Sequence, residues 1–126
     1  MQLRREPCAR TAAPRAEDRQ LRAYQQITRD ADLVAARDDL FGTFALEANC
    51  PECRVDGDYY RGILAGETGR LHEALRWLKR ASVGARRLGL DAQEMGARNQ
   101  LIDGLALLGR HREARALIDL SLREAA

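Results

Sequence analysis

The sequence predicts an all-α fold of three successive helix pairs, and three observations carry that expectation. The first is a repeat: Gly69-Arg70-Leu71-His72-Glu73-Ala74 returns forty residues later as Gly109-Arg110-His111-Arg112-Glu113-Ala114, each copy with an aliphatic residue four positions after its Ala. Self-similarity at a fixed interval describes a whole architecture and outranks any single residue. A fainter copy, Ala31 to Ala36 followed by Leu40, precedes the middle one by thirty-eight residues. The second observation is the apolar stripe Leu71, Ala74, Leu75, Leu78, Ala81, Ala85 and Leu88, spaced as one face of a helix. The third is the glycine after each of the later runs, at 69, 89 and 109, where a helix can end in the left-handed conformation.

Taken in order, residues 1–14 hold Pro7, Pro14, three Arg and no periodicity, and read as a disordered leader ahead of a helical domain over 15–126. The first helix is expected over about Arg15–Thr28, with Leu21, Tyr24 and Ile27 inward, Ala23 beside them, and Arg19, Arg22, Gln26 and Arg29 opposite. A second runs from about Asp32 to Ala48, capped by Asp30 or Asp32, on Leu33, Ala36, Leu40, Phe41, Phe44 and Ala48. Pro51 ends it by pushing Cys50 out of the helical region, and a loop continues to Asp56 or Gly57.

The third helix spans about Asp58–Glu67. Its Gly62 costs about 1 kcal/mol relative to Ala, a cost offset where a neighbouring helix comes close, so its face is expected against the second or fourth helix. The fourth covers Leu71–Leu88. The fifth starts at Asp91, with Glu94 completing a capping box, and faces Ala97, Leu101, Leu105 and Leu108 inward. The sixth runs from Arg112 to about Arg123 on Ala114, Leu117, Ile118, Ser121 and Leu122.

The Gly, the Glu-Ala pair, and the Ala followed four later by a large apolar residue resemble the second half of a tetratricopeptide repeat, a helix-turn-helix unit of about 34 residues. Gly62 matches the small residue midway along that family's first helix and Ala81 the one late in its second. The longer spacing resembles the long-helix variant of bacterial signalling and regulatory proteins. The resemblance covers residues 17–126. It departs from the family at Asp58 and Arg98, where Trp is preferred, at Arg61, where Leu is preferred, and in the lack of a Pro closing either later repeat. It implies a right-handed α-solenoid of about three repeats that binds another protein in a groove lined by the first helix of each repeat. By carry-over the groove residues are Arg22, Gln25 and Arg29 in the first repeat, Asp56, Tyr59, Tyr60, Ile63 and Glu67 in the second, and Asn99, Gln100, Asp103 and Leu107 in the third. Tyr59 and Tyr60 would be its aromatic anchors. Repeat arrays usually carry a polar capping helix, and none follows Ser121-Leu122, so the expectation is either a fragment of a longer array or a last pair that packs on another subunit as a homo-oligomer.

The 126 residues fit one domain, 45% hydrophobic and 32% charged, with a net charge of +2. That charge is blocked: +4 over residues 1–29, −6 over 30–60, +5 over 61–90 and −1 over 91–126. Alternation of this kind argues against a uniformly basic nucleic-acid surface and fits complementary faces. No apolar run is long enough to span a membrane and no apolar stretch follows the early Arg residues as in a signal peptide, so the expected compartment is the cytoplasm.

Nothing predicts catalysis or a cofactor: no phosphate loop, nucleophile elbow or metalloprotease helix motif occurs. His72 and His111 follow their turn glycines at corresponding places, and His111 is expected to pack in the turn. Cys50 and Cys53 are spaced as a metal chelate or redox pair, but zinc wants four ligands and no second pair exists, so they read as two reduced thiols in the loop. Arg76, Lys79, Arg80, Arg86 and Arg87 share the exposed side of the fourth helix, where they either complement the helix dipole or track phosphates in a nucleic-acid-binding regulator. A thiol- or zinc-responsive oligomerisation switch is the other rival reading.

Overall fold

A computed structural model of the protein describes residues 12–125. These residues form α1 (Ala12–Gln25), a π turn (Gln26–Asp30), α2 (Leu33–Gly42), α3 (Phe44–Glu47), α4 (Pro51–Glu67), α5 (Leu71–Leu88), α6 (Asp91–Leu107) and α7 (His111–Ala125), with no strand among them. Most of the expected leader lies outside the described residues, as does Cys8; α1 starts at Ala12.

From α4 onward, glycine sets the boundaries. Gly69, Gly89 and Gly109 all have positive φ, and the residue after each donates its N–H back into the last turn of the preceding helix, as Arg70 does to Ala65 at 2.8 Å. An L side chain at such a φ costs about 1–2 kcal/mol, so the chain turns where glycine permits. α5 has the expected bounds, and Ala74, Leu75, Leu78, Ala81 and Ala85 are buried. Gly62 lies against α5: a Cβ there would sit 2.6 Å from Leu78 Cγ and 3.3 Å from the Ala74 carbonyl oxygen. Gly66 has no neighbour within 4 Å of such a Cβ and makes no close approach. Asp32 caps α2 by accepting from the Ala35 N–H at 3.1 Å. Asp91 does not cap α6; Leu90 holds that position without a side-chain bond, because Glu94 turns instead to Arg86 and Arg98. His111 is exposed at the start of α7 and does not pack in the turn.

Before α4 the expectations fail in three places. The buried face of α1 is Ala16, Gln20, Ala23 and Ile27, whereas Leu21 and Tyr24 are 55% and 41% exposed. The second helix is not continuous but breaks at Thr43, and its buried face is Ala36, Leu40, Thr43, Glu47 and Cys50, leaving Phe41, Phe44 and Ala48 exposed or partly so. Pro51 does not begin a loop: it occupies the first turn of α4, where a missing N–H costs nothing, with Cys50 as the N-cap. In α1 and the second helix polar residues take core positions because a buried cation stands opposite.

That cation is Arg61, whose side chain is fully buried with Glu47. Its Nη2 reaches Glu47 Oε2 at 2.5 Å, the Leu40 carbonyl at 2.9 Å and Thr43 Oγ1 at 3.1 Å, while Nη1 donates to Asp58 Oδ1 at 3.0 Å. Glu47 Oε2 also accepts from Thr43 Oγ1 at 2.6 Å and from Gln20 Nε2 at 3.1 Å, and Gln20 donates to the Cys53 carbonyl at 2.9 Å. The guanidinium lies 4.0 Å from the Phe44 ring centroid and 5.4 Å from that of Trp77. A buried charge costs several kcal/mol to desolvate, offset here by acceptors for Arg61 from α2, α3, α4 and the intervening Thr43, with Gln20 of α1 donating in turn to Glu47. Gly57, one turn before Arg61, leaves the space: a Cβ there would collide with Glu47 Oε2 and crowd Arg61 Nη1.

Apolar packing divides to either side. Ala23, Ile27, Ala36, Leu40 and Leu64 form one core, with Tyr60 and Ile63 against it. Leu75, Leu78, Leu101, Leu105 and Ala114 form the other, with Tyr59 against it. α1 packs on α4 and α4 on α6, while among the described residues no comparable backbone approach joins α5 to α2, α3 or α7. The helices therefore form two rows, with α1, α4 and α6 in contact and α2–α3, α5 and α7 spread apart.

Two outcomes test this account. Arg61→Met should cost about 3–5 kcal/mol in urea unfolding because it strands Glu47, and Glu47→Gln should cost a similar amount. The double variant should recover at least about 1 kcal/mol of their sum, and strict additivity would contradict the pairing. Gly62→Ala should lose about 1–3 kcal/mol despite its better helix propensity, through overpacking on Leu78; a gain in stability would show that α4 and α5 can part.

Candidate functional site

The residues expected to line a groove lie on α1 and the π turn that follows it, on α4 and on α6, the row in which α1 contacts α4 and α4 contacts α6. Its centre is aromatic. Tyr24, Tyr60 and Tyr59 form a chain with ring centroids 5.6 Å apart at both steps, so that α1 and α4 present one half-buried surface. Gly96 of α6 extends it, since a Cβ there would lie 3.8 Å from the Tyr59 ring. Burial raises the Tyr59 and Tyr60 hydroxyls above the usual tyrosine range. For Tyr59 the Gln100 side chain works the other way as a hydrogen-bond partner; for Tyr60 the neighbouring Asp56 charge adds to the rise. Tyr24 was not among the residues expected in the groove, because it was assigned to the core; its exposure and its contact with Tyr60 bring it to the surface.

Gln25, Arg29, Glu67, Asn99 and Asp103 are exposed on these helices, and Ile63 is half-buried. Arg22 is turned away: its Nη1 lies 3.8 Å from Asp39 Oδ1, toward α2. Leu107 is 73% exposed at the end of α6. Asp56 stands near Glu17, Glu52 and Glu47; partial burial, with those three negative charges, raises its carboxyl to about 6.

Near the start of α1 and α4, Cys50 and Cys53 are joined in a disulfide, not held as free thiols, and both are buried against Ala16 with Leu46 alongside. Cys50 caps α4, its Sγ accepting from the Cys53 N–H at 3.2 Å. No group of three or more His, Cys, Asp or Glu side chains suited to a metal ion occurs among the described residues. Nor is any described helix long and apolar enough to cross a membrane.

The wider openings lie in the other row. One of about 800 Å³ runs between the start of α4 and the length of α5, and one of about 690 Å³ lies between α5 and α7 over α6. The expected basic stripe of α5 is indeed exposed, and Arg76, Lys79, Arg80 and Arg87 line the first opening. The second is crossed at its end by ion pairs: Arg98, 3% exposed, meets Glu124 at 2.8 Å and Glu94 at 3.6 Å, and Arg86 meets Glu124 at 3.5 Å. The hydrogen bond from Arg98 holds the Glu124 carboxyl below the usual range.

Asp58, Arg61 and Arg98, the three residues that depart from the repeat pattern, are thus all buried within these two ionic networks. Asp58 and Arg98 stand forty residues apart at corresponding repeat positions, with opposite charge and opposite partners, Arg61 and Glu94. Burial raises the Asp58 carboxyl even with Arg61 beside it.

Comparison with known protein families, with curated proteins and with solved structures finds no match to this chain.

The Asp56 environment makes a pH-dependent demand. A carboxyl at about 6 in the folded chain against 3.8 otherwise means the folded state holds the proton longer, so stability falls as pH rises from about 4 to about 6. Asp56→Asn should therefore stabilise the protein by about 1–2 kcal/mol at pH 8, after allowance for solvent screening, and by little at pH 4. Urea unfolding at both values checks this, and an equal gain at both would remove the electrostatic explanation.

Proposed function

We propose that the protein is a non-catalytic interaction module, a right-handed α-solenoid of about three tetratricopeptide-like repeats that binds a segment of a partner protein in bacterial signalling or regulation. The observation that carries this reading is the continuous surface over α1, α4 and α6, with Tyr24, Tyr60 and Tyr59 as a chain of half-buried rings. Rings held this way offer contact area at little entropic cost on binding, and aromatic side chains lead among binding hot spots. The closer packing of this row relative to α2–α3, α5 and α7 fits curvature toward it, which in a repeat array makes the inner, ligand-facing side. Around the rings, Asn99, Gln100 and Asp103 supply hydrogen-bonding groups for orientation and specificity.

Peptides selected from a random display library on the immobilised protein test this reading. Tyr59→Ser with Tyr60→Ser should weaken peptides bound at this face at least about tenfold. Because both rings also touch the cores, Asn99→Arg with Asp103→Arg, both on exposed positions, provides a second variant. Helix content by circular dichroism should stay unchanged in the second variant. If every selected peptide binds both variants as it binds the parent, this face is not the binding site.

A further inference from the structure

The gap between α5 and the start of α4 is built differently from the tyrosine face. α5 borders it from Glu73 to Leu88, a length of about 22 Å at about 1.5 Å per residue. α4 supplies the other wall through its first two turns, Pro51 to Asp58. The surface between is apolar: Val55, Trp77, Val83 and Leu88 line it, and Val83 is 43% exposed. Its charges are unequal. Both acids are engaged, Asp58 with Arg61 at 3.0 Å and Glu73 with Arg70 at 3.6 Å. Arg54, Arg76 and Arg87, by contrast, form no ion pair with any described residue, and Lys79 and Arg80 stand beside them. The result is an apolar trough whose uncommitted charge is all positive.

We propose that this trough docks an acidic amphipathic helix of a partner protein, with apolar side chains on Val83 and Leu88 and carboxylates against Arg54, Arg76 and Arg87. The inference rests on the reading of the chain as a protein-binding module but assigns a second surface, on the opposite row of helices. Three features favour a helix of this chemistry. The trough is straight because a helix forms its long wall, and four turns of a second helix match its length. Its apolar lining would leave a bare polyanion's polar backbone unsatisfied, whereas a helix satisfies its own. Its unpaired guanidinium groups bind carboxylates in two-pronged fashion. A nucleic acid fits less well. The Trp77 ring, the natural base-stacking platform, already carries the Arg61 and Arg80 guanidinium groups at 5.4 and 5.3 Å, with the Phe41 ring edge-on at 5.9 Å.

The test is selection of 16-residue peptides from a random display library on the full chain, followed by binding titrations of the selected peptides. One class of peptides is expected to carry net negative charge with apolar residues at i, i+3 or i+4, and i+7. That class should lose at least about tenfold in affinity on Arg76→Glu with Arg87→Glu, both exposed positions, and keep its affinity on Asn99→Arg with Asp103→Arg. Lysine-for-glutamate versions of the same peptides should bind the Arg76→Glu, Arg87→Glu protein and not the parent. Selection of neutral or basic peptides alone, no selection at all, or binding indifferent to the α5 reversals overturns the proposal. So does tighter binding of a 16-nucleotide oligothymidine that is lost on the same reversals. Peptides sensitive only to the Asn99 and Asp103 changes would leave the tyrosine face standing and remove the trough, and the reverse pattern would do the opposite.

Discussion

A guanidinium held out of water between Glu47 and Asp58 is the constraint from which the first half of this protein follows. Arg61 cannot be deprotonated, so its burial is tolerable only if the surrounding chain supplies acceptors. The Leu40 carbonyl becomes one because the second helix breaks at Thr43 and the chain re-enters as the single turn α3, which brings Glu47 inward. Gly57 becomes necessary because the two charged groups occupy the space of a side chain. Gln20 is buried with its amide donating both to Glu47 Oε2 and to the Cys53 carbonyl, and so ties α1 to the start of α4. The ring of Phe44 covers the cation on the outside, so an apolar residue at the surface does polar service within.

The ionic core also explains where sequence reasoning succeeded. α5 and the three glycine turns were legible because the core positions of α5 are Ala and Leu at helical spacing, and the turns are marked by a residue type with a conformational privilege. α1, α2 and α3 were misread because periodicity counts apolar side chains as core, and here Gln20, Thr43 and Glu47 take those places while Leu21, Phe41 and Phe44 lie outside. A signal was available: Asp58, Arg61 and Arg98 interrupt the repeat at positions where it prefers Trp or Leu, and a charge in such a place needs a partner. Pro51 was legible as a break but not as a beginning, since the same fixed φ that stops one helix suits the first turn of the next. The tyrosines of α4 could be placed on their helix, but their link to Tyr24 depends on the tilt of α1 against α4, which no pattern within one helix encodes.

The alternating charge blocks acquire a spatial meaning in the same way. The acidic block supplies Glu47, Asp56 and Asp58 to α3 and α4, and the basic block supplies Arg61 inward and the α5 cations outward. At the joint one guanidinium faces the carboxylates of both Glu47 and Asp58, and the flanks are uneven: Asp56 is left among acids near α1, while Arg76 and Arg87 on α5 form no ion pair with a described residue. One row of helices thus carries aromatic rings with a negative patch, and the other an apolar trough with a positive one. Under the proposed reading these would select partners of different charge.

The stacking of Trp77 on this joint has an experimental corollary. As the only tryptophan in the chain, it dominates intrinsic fluorescence, and it sits where Phe41, Phe44 and two guanidinium groups converge between α3 and α5. Its emission therefore reads first the seam between the first and second helix pairs, whereas α6 and α7 meet Leu75 and Leu78 of α5 in a core where Trp77 is not a member. Chains built of packed helix pairs can lose an end while the middle holds. A fluorescence transition would then describe the opening of one joint, and its coincidence with the loss of helical signal is what would make it a measure of the whole molecule.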